Sequence, residues 1–236
     1  MIELHGMKSP NVLKVVLALE EMELPYELHP VNVWGGQQYS PEFLAINPNN
    51  KVPAIIDRDG PGGAPLTLFE SGAILFYLAE KTGKFMPASG AQRYQTMKWL
   101  MFQMAGIGPM CGQLTHFKRD APPGNQYGIT RYQTEERRQH RVIEQQLASN
   151  RFLAGPDYGI ADMAAYPWVS RYEFHDIAMA EHPAIARWLA AIEARPATQR
   201  FAAVFERMVE GDMPKRNAAT ADDFDRYFGR GVYSRP

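Results

Sequence analysis

Apolar and polar positions follow two rhythms along the chain. Up to about residue 85, short apolar runs take turns with helical stripes; beyond it only the helical period remains. Ile2 to His5 reads as a strand. Ser9 then stands at an N-cap position with Pro10 at the first helical position. Val12, Val15, Val16 and Leu19 follow at the spacing of one buried helix face, which leaves Lys14, Glu20, Glu21 and Glu23 for the solvent side. Pro25 precedes a second strand, Tyr26 to Val33. The resulting βαβ unit predicts parallel strands with the helix crossing between them. GGQQYSPEF is a loop with a short helix at 41–46. Val52 to Asp57 and Leu66 to Phe69 are strands joined by RDGPGGAP, a Gly/Pro turn that predicts a hairpin. Glu70-Ser71 opens a helix through Ile74, Leu75, Leu78 and Ala79, which Gly83 stops.

The rest is helical. One helix spans 90–119, interrupted around GIGPMCG, where Gly106, Gly108 and Pro109 break or kink it. A second spans 127–149, with TEERRQHR as a solvated face. FLAGPDYGIADMAAYPWVSRY is a loop and a buried helix, with Gly159 as N-cap and Asp162 at N3. The last helices fall at 183–194 and 197–209, each with a proline at its start. Residues 211–236 turn polar and lose the period, although Phe224, Tyr227, Phe228 and Tyr233 point to packing. The order β-α-β, then β-β-α, is that of an α/β thioredoxin-like domain. The predicted organisation is that domain at 1–83, an all-α helical-bundle domain at 84–210, and a tail at 211–236.

Composition narrows the function. Hydrophobic content of 45%, charged content of 22% and a net charge of −1 are those of a globular protein with no global attraction for polyanions. No basic stripe predicts nucleic-acid binding, and no apolar run has the length of a membrane span. The N-terminus carries no basic-then-apolar leader pattern, which makes the cytoplasm the default location. Cys111 is the single cysteine, so no intrachain disulfide forms. No histidine spacing of the metalloenzyme kind occurs, and no metal is expected.

Three stretches carry a resemblance: NKVPAIID at 50–57, LFESGAILFYLAEKTG at 68–83 and YGIADMAAYPWV at 158–169. Together they resemble the cytosolic glutathione transferases, over residues 1 to about 209. SPN at 9–11, PNNKVPAI at 48–55, GPMCGQLTHF at 108–117 and RYQTE at 131–135 are most similar to the bacterial nu-class branch, related to a yeast nitrogen-regulator prion protein. That branch implies disulfide-bond oxidoreductases that bind glutathione or its disulfide and carry no catalytic cysteine. It implies a symmetric dimer as well. Two alternatives stay open on the same site: conjugation or ether cleavage of aromatic electrophiles, and a non-enzymatic glutathione-binding regulator.

Under this resemblance each part of glutathione has a candidate partner. Val52-Pro53, with a cis bond implied, offers backbone groups that the cysteinyl residue pairs with as an added strand does; the other reading is a plain proline at a strand start. Ser71, at a helix start, and Glu70 hold the γ-glutamyl carboxylate and ammonium. Simple N-capping by Ser71 is compatible with that. Gln38 and Lys51 face the glycine end, with an ordinary polar loop as the other reading, above all for Lys51. Ser9 and Asn11 donate to the thiolate, Ser9 through its hydroxyl and Asn11 through its amide, although capping alone also explains Ser9. The branch shows threonine where this chain has Ser9, and an aromatic or small residue where it has Met7. The tyrosine that serves other transferase classes is absent. The RYQ match implies that Arg131 clamps a carboxylate of a second glutathione; the other reading is an exposed arginine in a charged run with Arg137, Arg138 and Arg141. Met101, Phe102, Met104 and Phe117 line either a co-substrate pocket or the core. Asp162 is structural.

Overall fold

The computed structural model describes residues 1–229. Its chain divides into two compact units. Met1–Ile74 and the segment from Gln199 onward form the first, and Leu75–Thr198 the second.

The first unit is built on a four-stranded sheet in the order β2-β1-β3-β4. Strand β1 (Ile2–Gly6) leads into helix α1 (Pro10–Met22), and β2 (Tyr26–Pro30) returns parallel to β1. After α2 (Pro41–Ile46), β3 (Ala54–Asp57) and β4 (Leu66–Phe69) form the hairpin, and β3 runs antiparallel to both neighbours. The register His5↔Ala54↔Phe69 fixes what the sheet delivers. The segment after β1, the segment before β3 and the segment after β4 all leave from one end of it. Helix α3 (Ser71–Thr82) starts there.

Three features of this unit depart from the sequence pattern. Strand β2 stops at Pro30, because Val31, Val33 and Trp34 turn into an apolar cluster with Met7 and Phe43. Lys14 is not on a solvent face: α1 is buried on nearly all sides from Val12 to Leu19, and Lys14 is 1% exposed. Finally, helix α9 (Pro196–Ala218) runs well past 209, and α10 (Ala221–Phe228) follows it in the region expected to be a tail. The polar stretch stays helical because its contacts are polar. Asp212, 6% exposed, accepts a hydrogen bond from the Lys8 backbone N–H, and the Arg216 guanidinium lies 5.5 Å from the Trp34 ring. Thr220 and Asp223 cap α10 reciprocally. Phe224, Tyr227 and Phe228 then pack on the Trp34 cluster, with Tyr227 4.6 Å from Trp34 between ring centres. Tyr233 lies outside the described residues.

The second unit is helical. Helix α4 (Ala91–Phe102) passes through one π turn, Gln103–Ile107, into α5 (Gly108–Arg119). The expected interruption is thus a widened turn just before Pro109, which sits where a helix start needs no N–H. Helices α6 (Gln126–Ser149), α7 (Ile160–Val169) and α8 (Pro183–Glu193) complete the unit. Helix α6 packs on α5 and α8, and α4 on α7. No described helix is long and apolar enough to cross a membrane.

Asp162 organises the entry to α7. It is fully buried, and its Oδ1 accepts from the Leu153 N–H at 2.9 Å and the Trp188 indole N–H at 2.8 Å. Its Oδ2 accepts from the Gly159 N–H at 3.0 Å. Position 159 holds glycine for a steric reason: a Cβ there would meet the Phe85 carbonyl oxygen at 2.7 Å.

Candidate active site

Ser9, Asn11, Val52-Pro53, Glu70 and Ser71 all stand at the single sheet end fixed by the register of β1, β3 and β4. Ser9 caps α1 with extended backbone, and its Oγ accepts from the Val12 N–H at 3.4 Å. That contact uses an oxygen lone pair and not the hydroxyl hydrogen, so capping and donation to a ligand are compatible. Asn11 follows at the second helical position, half-buried in the first turn of α1. The partial positive charge of a helix start makes that turn a place for negative charge.

The Val52–Pro53 peptide is cis. Strand β3 begins only at Ala54, so Val52 lies just before the ladder. Asn47 shapes the approach, and sequence reading did not single it out. Buried at 1% exposure, it donates from its side chain to the Lys51 carbonyl at 2.6 Å and accepts from the Asn49 N–H at 2.9 Å. The signal was present in the Asn-Pro-Asn-Asn run, since asparagine side chains bond their own backbone in turns. Lys51 itself is exposed. Gln38 is 3% exposed on the 3₁₀ turn Gln37–Tyr39, and its side-chain oxygen has no hydrogen-bond partner among the described residues.

Glu70 is exposed and takes a left-handed backbone conformation (φ 71°) immediately before α3. Its carbonyl accepts from the Ile74 N–H at 2.9 Å, which starts the helix. Ser71 is 3% exposed at the first position of α3. The Lys14 ammonium, rising from inside α1, donates to the Ser71 hydroxyl oxygen at 3.2 Å. Burial pulls the Lys14 pKa down to about 7, and the Glu70 charge works against that fall. Lys14 is the residue of this region that the hydrophobic pattern missed.

Arg131 belongs to the second unit, exposed on α6. Of the four apolar candidates there, Met101 is half exposed, and Phe117 stacks on Tyr132 at 5.4 Å. Cys111 is fully buried in α5, where burial first, then the Glu136 charge, pushes its thiol well above the ordinary range. Cys111, Glu136 and His175 offer three ligand-type atoms within 4.8 Å of one another. His175 Nδ1 lies 2.7 Å from Glu136, and the Arg171 charge acts on both Glu136 and Cys111. Thr115 Oγ1 holds the other ring nitrogen of His175 at 2.9 Å. The cluster is a buried polar core whose members already face one another.

A thioredoxin-like sheet, helix starts at the same sheet end as a cis proline, and a separate helical unit define a glutathione transferase. The model of the glutathione S-transferase N-terminal domain matches residues 1–80, and that of the C-terminal domain matches residues 115–196. The chain belongs to the glutathione S-transferase family. Among its relatives, the disulfide-bond oxidoreductase YfcG of Escherichia coli is 47% identical over 199 residues, covering 84% of this chain and 93% of that protein. A solved glutathione transferase from Burkholderia graminis, with two glutathione molecules bound per subunit, has a TM-score of 0.81 at 46% identity, covering 85% of this chain and 86% of that one. Another, from Pseudomonas putida, has one glutathione disulfide bound per subunit. Its TM-score is 0.80 at 42% identity, with 85% of this chain and 90% of that one covered. Residues 197–229 lie beyond both family models.

Proposed function

We propose that this protein is a glutathione-dependent disulfide-bond reductase whose sulfur chemistry is supplied by bound glutathione. One observation carries the reading: two helix starts and the cis proline meet at one sheet end, and the chain's single cysteine is a buried, protonated residue of the other unit. The names of the relatives support it.

In this reading Glu70 and Ser71 hold the γ-glutamyl end, the Val52 backbone pairs with the cysteinyl residue, and Gln38 and Lys51 take the glycine end. Asn11 and Ser9 donate to the sulfur, lowering its pKa from the ordinary thiol range of about 8.5. The bound thiolate attacks one sulfur of a disulfide in line, forming a mixed disulfide and expelling one thiolate. A second glutathione, for which we assign Arg131 as a carboxylate partner, attacks the mixed disulfide and expels the other. Two glutathione molecules are oxidised to one glutathione disulfide, the substrate is reduced to two thiols, and the two protons come from the glutathione thiols. A cytoplasmic location supplies reduced glutathione, and we assign a symmetric dimer as the working assembly.

The test is a comparison of two substrates on the purified protein. Glutathione with hydroxyethyl disulfide is turned over, and a chlorinated aromatic far more slowly. The reverse order favours conjugation or ether cleavage. Binding of glutathione with turnover of neither favours a regulator.

A further inference from the structure

We infer that Lys14 is a positioning residue for the γ-glutamyl end of the site, and that the protein takes up glutathione together with a proton held on the Lys14 ammonium. This rests on the glutathione reading above.

The argument begins with where the charge sits. Lys14 is 1% exposed in a helix whose neighbours from Val12 to Leu19 are all buried. Residues one turn away on the same helix are Pro10, Asn11, Leu17 and Ala18, and none carries charge. Its ammonium reaches the Ser71 hydroxyl at 3.2 Å, at the N-terminal end of α3. A helix N-terminus carries partial positive charge and favours anions. A buried ammonium there is penalised twice, by desolvation and by the helix dipole. A methionine would fill the position with neither cost. Negative charge on the far side of Ser71 offsets both costs. The Glu70 charge, from the β4–α3 junction, favours the ammonium in this way.

The ligand completes that balance. Its γ-glutamyl carboxylate docks on Ser71, one hydroxyl away from Lys14, and its ammonium turns to Glu70. The charge brought nearest Lys14 is negative, so the ammonium form gains when the ligand binds. Burial leaves Lys14 with a pKa of about 7 in the free protein, so a fraction of molecules must gain a proton on binding. Affinity is fullest below that value and falls as pH rises through it toward the higher value in the complex.

S-methylglutathione separates this effect from thiol ionisation, because its sulfur has no proton to lose. Its binding to the full-length protein is measured by calorimetry between pH 6 and 8.5, in buffers of different ionisation enthalpy. The expected result is net proton uptake above pH 7, with affinity falling about tenfold over the range, the effect of one unit of pKa difference. Lys14→Met is expected to bind about tenfold more weakly at pH 6, with no proton uptake and a flat profile up to about pH 7.5, where the ligand's own ammonium is still protonated. A flat wild-type profile without proton exchange overturns the role of Lys14 and leaves the glutathione site standing. So does a Lys14→Met profile that matches wild type. Absence of binding by wild type at every pH overturns the glutathione reading and this inference with it. Should Lys14→Met fail to fold, the wild-type lysine ¹³Cε resonances decide. One lysine titrating near pH 7 and moving upward with ligand supports the inference, and ordinary titration of all lysines overturns it.

Discussion

An ammonium that α1 holds in an apolar interior works against folding, and the size of that opposition depends on pH. Lys14 has a folded pKa of about 7 against an ordinary 10.5. Between those values the unfolded chain binds the proton and the folded one does not. The lysine's contribution to stability therefore rises with pH over that window and is lost as pH falls through about 7. Lys14→Met should raise stability at pH 7 by about 1–4 kcal/mol and abolish the rise toward pH 10, in urea titrations at a series of pH values. A destabilised variant would mean that the lysine packs better than its charge suggests. Asn11 is the complementary case on the proposed function, where the expectation is that function is lost and stability kept. Asn11→Ala should cut turnover of hydroxyethyl disulfide about 10- to 100-fold with little change in melting temperature, and unchanged turnover would remove it from the sulfur site. Ser9 was legible as a cap because capping chemistry is local and its residue types are few. Lys14 was not, since periodicity assigns a lone lysine to the wet face, and α1 has almost no wet face.

At the element scale, the start of α7 shows how few groups hold a helix in register. Three N–H donors converge on the Asp162 carboxylate, from Leu153, Gly159 and the Trp188 indole. Asp162→Asn keeps one oxygen and turns an NH₂ toward a donor. The expected loss is about 1–3 kcal/mol in a urea titration, and a loss under about half a kcal/mol would show the donors finding other partners. This element was readable in outline, because an acid three residues past an N-cap is a local signal. The Trp188 contact was not, since it spans 26 residues. The hairpin of β3 and β4 was readable from its Gly/Pro turn. The end of β2 was not, because nothing in Val31 to Trp34 says that these residues leave the sheet for the apolar cluster that α10 later covers.

At the scale of the whole chain, the first unit is discontinuous in sequence. Met1–Ile74 is completed by α9 and α10 through the Lys8–Asp212 hydrogen bond, the Glu20–Arg200 ion pair at 2.8 Å and the aromatic packing on Trp34. Two of these contacts join residues 180 and 204 positions apart, and a polar helix that packs through them leaves no period to read. Ending the chain at Ala218 should uncover Trp34 and its cluster. The expected loss is about 2–4 kcal/mol, with new binding of a hydrophobic dye. An unchanged urea midpoint with no dye binding would make α10 dispensable. The same closure sets a timetable for synthesis. The ribosome makes the sheet and its helix starts well before the residues that seal Trp34. The nascent chain therefore carries an unsealed apolar face until α10 has emerged, the interval in which chaperones engage such surfaces.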